Sequence, residues 1–168
     1  GVFQPFATAA DALVAMHRGN WTHALATADE VLTRPAPSPM HRILALVSVA
    51  LIRARRGEAF EAALLDEPLS TAPSNDFFRL GVVWAARAEV AWLAGDDDAA
   101  RAEAHTGLAT ATEHADPWLA GHLRRWAHLT GGILDDAPTP DMATPYRLEV
   151  SGDWQGAADE WTRLGCPY

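Results

Sequence analysis

The chain is 168 residues long, 49% hydrophobic and 21% charged, which is enough to bury one core and too apolar for wholesale disorder. Its 13 basic residues are all arginine against 22 acids, a formal charge of −9. That excludes P-loop and Schiff-base chemistry, both of which need lysine, and leaves no broad basic face for duplex DNA. A single cysteine, Cys166, excludes an internal disulfide framework, and no apolar run approaches the ~18–20 residues of a membrane span.

Alanine dominates and no stretch alternates apolar and polar residues long enough for a strand, so the expected class is all-α with about nine helices. The first helix is expected from about Thr8 to Arg18, stopped by Gly19, with Asn20 capping a second helix that presents Trp21, Ala24, Leu25, Ala28, Val31 and Leu32. Three prolines between Arg34 and Pro39 end it. Met40 to Arg56 is apolar nearly all round, as expected of a helix with neighbours on both sides. Gly57 and Glu58 turn the chain into an expected helix Ala59–Ser70, with Phe60, Ala63 and Leu64 inward, and Thr71–Asp76 is the next connection. The third pair is Phe77–Ala94 and Asp97–His114, the carboxylates of Asp96, Asp97 and Asp98 suiting a helix N-terminus. Asp116-Pro117 opens a seventh helix, Trp118–Thr130, ended by Gly131-Gly132. An irregular loop of about 131–144, a short helix Pro145–Val150 and a last helix ending near Leu164-Gly165 complete the chain.

A turn recurs at Gly19, Gly57, Gly95 and Gly152, with an alanine five residues later at Ala24, Ala62, Ala100 and Ala157. The first three glycines are 38 residues apart, and seven before each stands Ala12, Ala50 or Ala88. A fixed period with locked small residues is the mark of stacked helix pairs. Gly19-Asn20-Trp21-x-x-Ala24 and Gly152-Asp153-Trp154-x-x-Ala157 resemble the tetratricopeptide (TPR) repeat at its inter-helix turn. The likeness implies one TPR-like domain over residues 1–168, its antiparallel helix pairs forming a right-handed superhelix.

The segment from Ser151 to Tyr168 resembles part of the helical-repeat region of large LuxR-type (MalT-like) bacterial regulators. Arg53–Gly57, Ala88–Asp96 and Pro117–Gly121 resemble other parts of it. The resemblance implies a cytoplasmic sensor or interaction region cut from a longer transcription regulator. Such a region binds a small-molecule inducer or a protein or peptide, without catalysis, cofactor, membrane contact or direct nucleic-acid contact of its own. The alternative is a free-standing TPR-type adaptor, and an enzyme with its active site between helices ranks third.

Under the TPR alignment the concave groove receives Met16, His17, Leu51, Arg55, Glu89, Trp92 and Trp126. Leu13, Leu44, Val47, Val82 and Ala85 fall on the same face, and Trp21, Trp154 and Trp161 fall at packing positions. Arg55 either holds a ligand anion as a fork or pairs with a neighbouring acid such as Glu89. The seven histidines include no i, i+3 or i+4 pair, which argues against a metal site. No nucleophile motif or phosphate loop is present, and Cys166 is expected to pack at a helix end.

Overall fold

The computed structural model describes residues 3–58, 62–71, 77–111, 116–132 and 142–166. Among these the chain is helical and has no strand. The first five helices are α1 (Phe3–His17), α2 (Trp21–Thr33), α3 (Pro39–Arg55), α4 (Asp66–Thr71) and α5 (Phe77–Leu93). They are followed by α6 (Asp97–Ala111), α7 (Pro117–Leu129), α8 (Thr144–Val150) and α9 (Trp154–Arg163). No helix among the described residues is long and apolar enough to cross a membrane.

Two expectations are corrected. The first helix begins at Phe3 rather than Thr8. Pro5 sits in its first turn, where the missing N–H has no intrahelical partner to lose. The expected helix Ala59–Ser70 is replaced by a 3-10 turn, Ala62–Leu65, leading into the six-residue α4. Pro68 has no N–H to offer the Leu64 carbonyl, so an uninterrupted helix could not pass through it. Pro68 falls instead in the first turn of α4, and Leu65, not Leu64, takes the fully buried place. Phe60 and most of the expected loops Thr71–Asp76 and 131–144 lie outside the described residues, as does the Ala63 side chain.

Among the described residues the glycine turn occurs six times rather than four. Gly19, Gly57, Gly95, Gly131, Gly152 and Gly165 all adopt φ between 66° and 82°. Each is followed by a residue whose N–H returns to the carbonyl five positions back, for example Asn20 to Ala15 at 2.9 Å and Asp96 to Ala91 at 2.9 Å. That double-bonded C-cap satisfies two orphan carbonyls, and only glycine enters its left-handed position without strain. The next helix starts at once after three of these turns because the following side chain caps it. Asn20 Oδ1 accepts from His23 N at 3.4 Å, Asp96 Oδ1 from Ala99 N at 2.9 Å and Asp153 Oδ1 from Gly156 N at 2.9 Å.

These turns fold each helix back on its predecessor, and the locked alanines let the backbones close in. Ala12, Ala24, Ala50, Ala88 and Ala100 are fully buried and Ala157 is nearly so. α1, α3, α5, α7 and α8 form an unbroken row of contacts, each touching the next. α2, α6 and α4 with its lead-in turn each touch the row members on either side of them in sequence. The largest core cluster sits between α1, α3 and α5 and includes Met16, Val47, Leu51, Ile52 and Val83. Each such side chain contributes about 1.5–3 kcal/mol by leaving water. Arginines stitch the layers: Arg42 pairs with Glu67, Arg87 bridges Asp66 and Glu103, and Arg101 Nε donates to the Thr130 carbonyl at 2.8 Å.

Candidate functional site

The row of helices has a consequence at its ends. Counting back from each turn glycine, positions −2, −3 and −6 fall on one helix face. Position −6 holds Glu89, Arg125 and Tyr146 on α5, α7 and α8, and position −3 holds Trp92 and Glu149 on α5 and α8. Position −2 holds His17, Arg55 and Leu93, the last residues of α1, α3 and α5. All eight line one cavity of about 330 Å³. His122 and Trp126 of α7 and Trp161 of α9 complete its wall.

The charges in this cavity are closed on one another. Arg55 donates from Nε and Nη2 to the two carboxylate oxygens of Glu89 at 2.6 and 3.1 Å, and both side chains are less than a tenth exposed. Arg125 Nε donates to Glu149 Oε2, and Trp161 Nε1 donates to Glu149 Oε1 at 2.7 Å. The first pair ties α3 to α5, and the second ties α7, α8 and α9 together. Burial, with the Arg55 charge second, holds His17 below the ordinary histidine pKa despite Glu89 nearby. Burial holds His122 further below it, helped by Arg125, His17 and Arg55. Burial likewise pushes the Tyr146 phenol up. Both imidazoles are therefore neutral at pH 7.

Between the ion pairs runs a continuous arc of rings. Trp92 meets Trp126 at 5.4 Å, Trp126 meets His122 at 6.2 Å, and His122 stacks on Tyr146 at 5.4 Å with planes 11° apart. Tyr146 then meets Trp161 edge-on at 5.2 Å. The Arg125 guanidinium lies 4.4 Å from the Trp126 ring centre. The arc closes because α8 comes hard against α7 at Gly121, where an added Cβ would stand 2.8 Å from Tyr146 Cδ2. Trp126 is buried, and its Nε1 has no acceptor among the described residues.

Of the seven groove residues expected from sequence, His17, Arg55, Glu89, Trp92 and Trp126 line the cavity. Met16 and Leu51 do not: both are core, at 0% and 2% exposure, packed between α1, α3 and α5. Leu44, Val47 and Ala85 are core as well. The cavity lies towards α5–α9, so α1 and α3 reach it only with the long polar side chains of their final residues. The Arg55–Glu89 pairing, one of two expectations for Arg55, is formed. Trp154, expected to pack, is 53% exposed, because no described element covers that face of α9. Leu93, His122, Arg125, Tyr146 and Glu149 are not among the expected residues, and Trp161 is expected only as a packing residue. Applying the −6 and −3 register to Gly131 and Gly152 would have found Arg125, Tyr146 and Glu149. In comparisons with known proteins the chain matches no family model, no curated protein and no solved structure.

Proposed function

We propose that this chain is a ligand-sensing, TPR-like helical-repeat domain, with a right-handed superhelical stack that delivers its first helices to one binding cavity. The observation that carries the reading is the convergence of side chains from α1, α3, α5, α7, α8 and α9 on a single concave space, where an arc of rings is set among paired charges and imidazoles, a make-up that suits a small molecule. The row of contacts from α1 to α8 supports the repeat architecture. The motifs around Gly57, Gly95, Gly121 and Gly152 support a place in the sensor region of a cytoplasmic LuxR-type, MalT-like regulator. In that setting the domain performs no catalysis and touches no DNA; it takes up an inducer and passes the signal on. The exposed rings of Trp118 and Trp154, at 47% and 53%, favour a second reading as a free-standing adaptor that docks a protein or peptide.

A thermal-shift screen of sugars, nucleotides, aromatic metabolites and peptides tests the first reading. A small molecule that raises the melting temperature of the wild type, with the rise lost in Trp92→Ala, is expected. Stabilisation by peptides alone, insensitive to Trp92→Ala, would favour the adaptor, and turnover of any compound would overturn the non-catalytic assignment.

A further inference from the structure

Resting on that reading, we infer that the cavity takes an uncharged aromatic molecule of one or two fused rings, bound by its faces against the arc of side-chain rings. The walls leave little that would receive a charged ligand. Both carboxylates are engaged at both oxygens, Glu89 by Arg55 and Glu149 by Arg125 and Trp161. A ligand cation therefore finds no open carboxylate to pair with. The two guanidiniums are already charge-compensated by those same carboxylates, so a ligand anion would meet no net positive charge there. It would also meet the C-terminal ends of α1, α3 and α5, whose last residues line the cavity and whose dipoles disfavour negative charge. The burial and arginine charge that keep His17 and His122 neutral act equally against an added positive charge. Bringing either sign of charge into this space thus incurs a desolvation cost with no uncompensated side chain of opposite charge to offset it.

The walls specify shape as well as charge. Trp92 leaves 40% of its surface open at the rim while its inner side contacts Trp126. Tyr146 and Trp161 present further rings from α8 and α9. A flat ring placed among them gains offset-stacked or edge-to-face contacts on several sides, which a non-aromatic molecule of equal size does not. The volume of about 330 Å³ admits a bicyclic ring system.

One ring system in three charge states makes the test. Calorimetric titration of the full chain at pH 7.5 with indole, indole-3-acetate and tryptamine, and with myo-inositol as an uncharged non-aromatic ring, ranks charge and aromaticity separately. Indole is expected to bind at least about tenfold more tightly than either charged relative, with inositol weaker still. Trp92→Ala should weaken indole by about tenfold. Because Trp92 is half out in solvent, that variant should retain the wild-type fold, checked by circular dichroism. Equal or tighter binding of a charged relative, preference for inositol, or indole binding unmoved by Trp92→Ala would overturn the ligand class while leaving the sensor reading in place. Silence from all four, together with failure of the broader screen, would overturn both.

Discussion

Glu89 shows how a single side chain can hold an architectural and a site role at once. It lies six residues before Gly95 on α5, it is 7% exposed, and both its oxygens are taken by Arg55. Removing it takes from Arg55 its two-oxygen acceptor in a place with little water. Glu89→Ala should therefore destabilise the chain by about 3–5 kcal/mol, read as a lower urea midpoint. The double variant Arg55→Met with Glu89→Leu should recover most of that loss, because replacing a buried pair by apolar residues of similar volume is often neutral. If the double variant is no better than the single one, the pair contributes net stability rather than merely avoiding an orphaned charge.

At the scale of the elements, the glycine turn and the buried alanines act together. The turn reverses the chain, and the alanine five residues on lets the second helix lie close to the first. Ala100→Leu should overpack the crossing of α6 with its neighbours by about 1–3 kcal/mol. Ala102→Leu, two residues along and exposed, should stay within about 0.5 kcal/mol, so paired thermal melts separate register from general intolerance. These features were legible in sequence because they are local: a left-handed glycine, a capping Asn or Asp and an alanine at fixed spacing each speak for themselves. The cavity was legible only in part. His17, Arg55, Glu89 and Trp92 belong to helices within the 38-residue beat, so the repeat alignment placed them correctly. Tyr146 and Glu149 follow the irregular segment where the 38-residue beat fails, so only the local count back from Gly152 reaches them, and Trp161 on α9 lies outside that count. Met16 and Leu51 went wrong for another reason. A helix flanked on both sides buries positions that a two-sided repeat template assigns to its open face.

For the whole molecule, the two histidines give the fold a pH dependence with a definite sign. Both are held neutral in the folded state by burial first and arginine charge second, so their folded pKa values lie below the unfolded value of about 6.5. Between those values the unfolded chain binds more protons than the folded one, and stability falls as pH falls. The effect is absent above about pH 7.5 and grows as the pH falls below about 6.5, where the unfolded chain takes up the protons that burial keeps from the folded one. Urea titrations at pH 7.5 and 5.5 should show that loss. His122→Phe, which keeps a ring against Tyr146 but cannot titrate, should reduce it.

On the proposed reading, helix ends distant in sequence make one binding site. Hydrogen–deuterium exchange on the chain, with and without the tightest small molecule from the screen, addresses it most directly. Added protection is expected together in the last turns of α3 and α5, along α7 and in α8, with α2 unchanged. Protection confined to α2, or to the exposed face of α9 around Trp154, would contradict it.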